Sequence, residues 1–278
     1  MPLVVRREAG AGQLIRHWRR ARGRSQMDLA LAAGISARHM SFIETGRSRP
    51  GAETLGRLAT ALEIPGREEN VLFEAAGYAR RHRPTEFHGP ELEHVRSVLR
   101  FILDRHVPNS ALVFDRDWEI VMANSVHHRL VEFLTDGRAL DPAIQGNLLR
   151  LTFHPSGLRP HIANWDAVGP TLLRRVEREV DEAPSATGLA ALLDEVASYA
   201  PMPRPRASEG IPHDLLLPVH LRKGSLDIQL FSVLSTIGSA IDLTLQELRI
   251  ESFFPADVES ERALKVLLAG ISSEFPGE

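Results

Sequence analysis

Residues 25–46, SQMDLALAAGISARHMSFIETG, constrain this chain more than any other stretch. Ser25 can cap a helix, and Asp28 three positions on completes a capping-box pattern. Leu29, Ala30 and Ala33 then make a small apolar face. Gly34 stands where a helix ends most cheaply in left-handed backbone. Ile35 plugs the turn, and Ser36 can cap a second helix. In that helix Met40 and Ile43 point inward, while Arg38, Phe42 and Thr45 recur at i, i+4 and i+7 as one exposed stripe. Two short helices joined by a tight turn, the second carrying a free stripe, form a helix-turn-helix pattern. Its second helix is shaped for the major groove of DNA.

Charge supports that partner. The chain has a net charge of −3 at pH 7, but residues 1–83 hold 15 arginines against 8 acidic residues, a balance of +7. The remainder carries 18 basic and 28 acidic residues, a balance of −10. A basic segment joined to an acidic one implies that the first meets phosphate and the second does not. The 278 residues leave room for two domains. With no cysteine, disulfides and cysteine-based zinc or iron–sulfur sites are excluded. No apolar run approaches the ~20 residues of a membrane span, and MPLVVRREAG lacks a signal-peptide core. The expectation is a cytoplasmic protein with no membrane partner.

Five helices are expected in residues 1–80. Gly12–Arg22 carries Leu14, Ile15 and Trp18 on one face. Residues 26–33 and 37–45 form the motif. Pro50–Glu63 spaces Leu55, Leu58, Ala59 and Leu62 helically, and Arg67–Ala76 places Val71, Leu72 and Ala75 inward before Gly77. The stretches GRSQMDLALAAGISARHMSFIETGRSRP and TLGRLATALEIPGREENVLFEAAGYA resemble the xenobiotic response element (phage-repressor-like) family of bacterial regulators. That resemblance implies that Ala37, Arg38 and Phe42 face base edges and that Ser36 lies where the helix enters the groove. Gln26 would contact phosphate, with Arg47 and Arg49 as further phosphate partners. Chemistry agrees: the arginine fork matches guanine O6 and N7, and an exposed Phe42 suits a thymine methyl. Burial of Phe42 against a neighbouring helix is the alternative. Glu44, acidic beside the groove, is expected to be structural and to pair a nearby arginine.

Residues 79–90, ARRHRPTEFHGP, mark a boundary, with a linker at 81–90. Arg80, Arg81 and Arg83 either touch phosphate or solvate a hinge. Over 91–278 the pattern predicts an α+β domain with an antiparallel sheet and helices over one face. Residues 91–106 form a helix bearing Leu92, Val95, Val98, Leu99 and Ile102, and this helix is a candidate dimer interface. Strands follow at 111–115 and 118–124, with Trp118, Ile120, Met122 and Asn124 on one face. Asn124 or Ser125 caps the next helix. Helices at 171–180 and 189–199, a hairpin of 214–221 with 226–236, and a last strand from LQELRIESFFPAD complete the domain.

This half, through ALVFDRDWEIVMAN, NLLRLTFHPSGLRP with Asn164-Trp165, and STIGSAIDLTLQELRIESFFPAD, resembles the ligand-binding domain of MmyB-like transcription regulators. The resemblance implies a PAS-like fold with a buried apolar cavity for a long-chain acyl ligand such as a fatty acid. The residues themselves allow an apolar pocket built from Phe114, Trp118, Ile120, Met122, Leu151, Phe153, Trp165, Leu217, Val219, Ile228 and Leu230. For any one of these side chains, close packing into an ordinary core is the favoured alternative. Arg150, Arg159 or His154 are candidates to anchor a carboxylate at the mouth, although His154-Pro155 also fits a turn.

Metal and catalytic spacings are absent: no His-Glu-x-x-His, no Gly-x-Ser-x-Gly, no Walker loop and no dinucleotide glycine fingerprint. The expectation is therefore a DNA-binding regulator, not an enzyme and without a cofactor, that acts as a homodimer on operator DNA. Its second domain would bind a small apolar ligand, a fatty acid or acyl compound, that modulates DNA binding. The alternative is a constitutive repressor whose second domain is a ligand-free dimerisation or partner-docking platform.

Overall fold

The computed structural model describes residues 10–82, 85–182, 187–199, 218–238 and 242–272. The chain divides into two compact units, with the break between Pro84 and Thr85.

Five helices make up the first unit among its described residues: α1 (Ala11–Ala21), α2 (Gln26–Ala32), α3 (Ala37–Glu44), α4 (Ala52–Ala61) and α5 (Gly66–Ala75). The expected caps form. Ser25 Oγ accepts from the Asp28 amide at 3.1 Å while Asp28 accepts from the Ser25 amide, and Ser36 Oγ accepts from the His39 amide. Gly34 adopts φ +64°, which only glycine reaches without strain. Leu14, Ile15, Trp18, Leu29, Met40, Ile43, Leu55, Leu58 and Leu72 close into one core. Gly12 lets α1 and α3 touch backbone to backbone, since a Cβ there would sit 2.1 Å from the Ile43 carbonyl oxygen.

Helix α5 departs from expectation. Ala75 is exposed, and Phe73 and Ala76 join Leu72 in the core. The helix is turned by its polar residues. Glu69 receives Arg81 at 2.7 Å and His82 at 2.6 Å, and Asn70 accepts from the backbone amides of Arg81 and His82. Arg80 pairs with Glu74. Two members of the basic cluster are thus held by carboxylates, and Arg83 lies outside the described residues.

The second unit contains a sheet with strand order β2-β1-β5-β4-β3, all neighbours antiparallel. The strands are β1 (Ala111–Phe114), β2 (Ile120–Ala123), β3 (Val219–Lys223), β4 (Leu226–Thr236) and β5 (Arg249–Pro255). Helix α6 (Glu93–Arg105) lays Leu99 and Leu103 on Ala111, Val113 and Ile250. The opposite face meets α7 (Ser125–Leu134), α9 (Leu148–Phe153) and α10 (Trp165–Glu182), while the short α8 (Pro142–Gln145) packs on α9. Here Leu130, Leu134 and Val168 cluster with Leu221, Ile228 and Leu230. Helices therefore cover both faces rather than one, within the PAS-like α+β architecture that was expected. Three helices complete the unit: α11 (Thr187–Ser198), the short α12 (Leu243–Glu247), and α13 (Val258–Ser272), which packs Leu264 into the same cluster. The last was not expected from sequence, although Asp257 accepting from the Ser260 amide at 2.7 Å is a normal helix start.

Three expectations change in detail. Helix α10 begins at Trp165 and runs through Pro170, six residues earlier than the proline suggests. Val98 points to solvent, with Phe101 beside it. Strand β3 starts at Val219, and the hairpin turns on Gly224 and Ser225 alone; Leu217 lies outside the described residues.

The first hairpin differs more. Val113 pairs with Met122 but Phe114 pairs with Ile120, so Val121 is an extra residue on β2. Such a bulge reverses side-chain alternation. Ile120 therefore shares the face of Phe114, and Met122 shares the α6 face with Val113. Trp118 is not in the strand at all. It holds φ +63° in a turn that Asp115 braces by accepting from the Asp117 and Glu119 amides.

Glu44 ties the first unit together. Its carboxylate, only 6% exposed, takes a bidentate pair from Arg19 of α1 at 2.6 and 3.1 Å and the Gln26 amide of α2 at 2.7 Å. Burial alone would raise its pKa; the bonds from Arg19 and Gln26 and the arginine charges outweigh that and leave it below the ordinary value. Removing it would strand a nearly buried guanidinium. Glu44→Ala is expected to cost about 3–5 kcal/mol in urea denaturation followed by circular dichroism. A loss under about 1 kcal/mol, as for an exposed pair, would show the network to be idle.

Candidate functional site

On the first unit, α3 exposes Ala37 and Arg38, and Ser36 is exposed at its start. Phe42 is half-buried, flanked by the guanidinium of Arg38 at 5.4 Å and of Arg47 at 6.0 Å from its ring centre. Neither guanidinium has a carboxylate partner among the described residues, so both forks remain free toward solvent. Arg49 is exposed but stacks at 5.0 Å on Tyr78, whose hydroxyl donates to the Pro50 carbonyl. Gln26 uses its amide nitrogen on Glu44, which fixes it at the start of α2. The face thus presents Arg38 and the edge of Phe42 on α3, with Arg47 just past the helix end, and Glu44 anchors the helix from behind.

The second unit holds a cavity of about 290 Å³ between α7, α9, α10 and the sheet. Its wall is mostly apolar: Trp118, Leu130, Leu148, Leu172, Val219, Leu230 and Phe253. Its polar lining includes Arg175, Arg178, Glu251, Ser232, Ser110 and His127. Glu179 organises it. Its carboxylate accepts from Trp118 Nε1 at 3.1 Å, Arg249 Nη1 at 2.7 Å and Arg175 Nε at 3.2 Å. Arg175 also lies 4.8 Å above the Trp118 ring. Its Nη2 is buried and has no hydrogen-bond partner among the described residues. Burial pushes the Glu251 carboxyl up, against a hydrogen bond from Ser232 and the charges of Arg175 and Arg249.

Residues 95–267 match the family described as MmyB-like transcription regulator ligand binding domain, and residues 11–72 match a helix-turn-helix domain family. The chain belongs to the MmyB-like transcription regulators. It is a DNA-binding helix-turn-helix regulator joined to that family's ligand-binding domain. No curated protein matches it. No helix among the described residues is long and apolar enough to cross a membrane.

Within this MmyB-like domain the expected pocket residues separate into groups. Trp118, Val219 and Leu230 line the cavity. Ile120 and Leu151 line a neighbouring pocket under α7. Phe114 is fully buried and stacks on Trp118 with ring centres 5.0 Å apart. Phe153 packs edge-on against Trp165, also at 5.0 Å, and Ile228 is buried in the sheet core. Met122 is carried to the far face by the bulge. The three proposed mouth cations are engaged elsewhere: Arg150 forks onto Glu195 at 2.9 and 2.8 Å, Arg159 lies over Trp165, and His154 accepts from the Ser156 amide in a turn. The cations at the cavity are Arg175 and Arg178. Arg175 was legible in principle, since Val168, Leu172 and Arg175 follow i, i+4, i+7 on α10 with a charge closing an apolar stripe.

His127 lies inside this wall, its Nδ1 3.4 Å from Ser110 Oγ. Burial, helped by the neighbouring His128 charge, lowers its pKa from 6.5 to about 4. A neutral histidine in the fold and a protonated one in the unfolded chain make stability complete above pH 6.5 and progressively lost on acidification toward pH 4. The loss attributable to this group is roughly 3 kcal/mol. In denaturant titrations across that window, wild type should lose stability relative to His127→Gln. Parallel pH curves for the two proteins would show that His127 protonates freely in the fold.

Proposed function

We propose that this regulator reads a specific operator through α3 and that an apolar ligand, a fatty acid or related acyl compound, fills the cavity of the second unit. Ligand occupancy then sets DNA affinity. The observation that carries this reading is the pairing, in one chain, of an exposed arginine-bearing helix with a mostly apolar cavity in the second unit.

Ala37, Arg38 and Phe42 are assigned to base edges, Ser36 to the groove entrance, and Gln26, Arg47 and Arg49 to phosphates. Arg38 beside Phe42 suits a guanine next to a thymine, one by its fork and the other by its methyl. The protein acts as a homodimer on half-sites ~34 Å apart, the spacing of one helical turn. Helix α6, with Val98 and Phe101 exposed, is the face assigned to that dimer. The ligand shifts DNA affinity only by its unequal affinity for the dimer arrangements that do and do not span two half-sites.

Selection of bound duplexes from a random pool, followed by binding of the selected sequence and its single-base variants, tests the groove assignment. Arg38→Ala should relax preference at one base pair, with a loss of about 1–3 kcal/mol for the preferred base. Arg47→Ala should weaken binding to all sequences alike and lower the salt slope by about one. An Arg38→Ala protein that keeps every sequence preference would remove α3 from the major groove.

A further inference from the structure

Resting on the reading of a homodimer that spans two half-sites, we infer that two hydrogen-bonded clasps shorten the joint between the units to Arg83 and Pro84. The clasps thereby select the half-site separation that an operator must have. Asn70 and Thr85, which make them, are positioning residues for DNA recognition and are not assigned to DNA themselves.

The first clasp lies wholly within the first unit. Asn70 of α5 is buried, and its Oδ1 accepts from the Arg81 and His82 amides, each at 2.9 Å. Its Nδ2 donates to the His82 carbonyl at 2.6 Å. One side chain thus satisfies the backbone of two linker residues, as a neighbouring strand would. Glu69, one residue earlier, holds both of their side chains, and the Arg81 guanidinium lies 5.3 Å from the Phe73 ring centre. The second clasp lies wholly within the second unit. Thr85 Oγ1 donates to Asp242 at 2.6 Å, and the Thr85 carbonyl accepts from Thr244 Oγ1 at 2.6 Å. Asp242 is itself fixed, because its other oxygen caps α12 by accepting from the Leu245 amide at 3.2 Å. Leu248 alone separates α12 from β5, whose Glu251 and Phe253 line the cavity.

Reach decides what the clasps do. From the Cα of His82 to that of Thr85 a chain spans at most about 11 Å. Without the clasps, the chain is next held at Tyr78, whose hydroxyl donates to the Pro50 carbonyl. On the other side it is next held at Phe87, which is buried and whose carbonyl accepts from Arg96. The exposed pair of Arg80 with Glu74 adds little. From Tyr78 to Phe87 the reach grows to about 31 Å, close to the ~34 Å between half-sites one helical turn apart. Two linked binding events support each other only where the link can span both sites. A short joint therefore restricts the permitted separation, and a long one does not.

The test is binding of the full-length protein to duplexes that carry two selected half-sites, their separation changed in single-base-pair steps. A duplex with one half-site is the reference. Wild type is compared with a protein carrying Gly-Ser-Gly-Ser-Gly-Ser inserted between Arg83 and Pro84, and with the double variant Asn70→Ala and Thr85→Val. Wild type should lose roughly tenfold or more in affinity when the preferred separation grows by about half a helical turn. The inserted and double-variant proteins should lose less than about threefold, and all three should bind a single half-site alike. Because the insertion leaves both clasps in place, a folding defect in the double variant cannot mask the answer. A wild type that binds every separation alike, yet two half-sites tighter than one, would overturn the inference and leave the homodimer standing. An inserted protein as strict as wild type would overturn it equally. Equal affinity of wild type for one half-site and for two would overturn the homodimer reading and the spacing role with it.

Discussion

The carboxylate of Glu179 is the interaction on which the second unit's chemistry depends. From α10 it receives the indole of Trp118 from the β1–β2 turn, the guanidinium of Arg249 from β5, and Arg175 from one turn earlier on its own helix. Three elements distant in sequence are thereby locked at one point, and Trp118 is held with φ +63° as part of the arrangement. Backbone strain of that kind, of order 1–3 kcal/mol, persists only where surroundings over-determine it. The same contacts hold the Arg175 guanidinium 4.8 Å from the centre of the Trp118 ring. Trp118 and Arg175, two residues of the cavity wall, are thus placed by one helix side chain.

The first unit uses the same device. Glu44, at the end of the reading helix, gathers Arg19 and Gln26 from the two preceding helices. A nearly buried carboxylate that accepts a bidentate guanidinium is strongly directional, so it fixes the rotation of α3 about its axis. That rotation decides whether Arg38 and Phe42 face outward. Stability and reading geometry therefore rest on the same residue.

Local patterns in the chain made much of this legible. Ser25, Asp28, Gly34 and Ser36 announce the motif because caps and left-handed turns depend on neighbours within a few residues. Met40 and Ile43 follow from helical spacing, and Asn124 from its place before an apolar run. What stayed hidden depends on contacts between distant segments. The bulge at Val121 separates Ile120 from Met122, and no alternation pattern reports an inserted residue. The turn of α5 is set by Glu69 and Asn70 gripping Arg81 and His82, a match visible only once the chain folds back. Arg150 and Arg175 look equivalent in sequence. They differ because Glu195 occupies the fork of one, while Glu179 leaves a nitrogen of the other free.

The central claim is that ligand in the cavity and DNA on α3 share one equilibrium. Linkage makes any such coupling reciprocal. The most direct measurement is fluorescence anisotropy of the selected operator duplex with full-length protein, repeated with a saturating fatty acid. A change of roughly five- to 150-fold in DNA affinity on adding the fatty acid is the predicted result. A fatty acid that binds the protein yet leaves operator affinity unchanged would contradict the account and leave the second unit as a platform uncoupled from DNA.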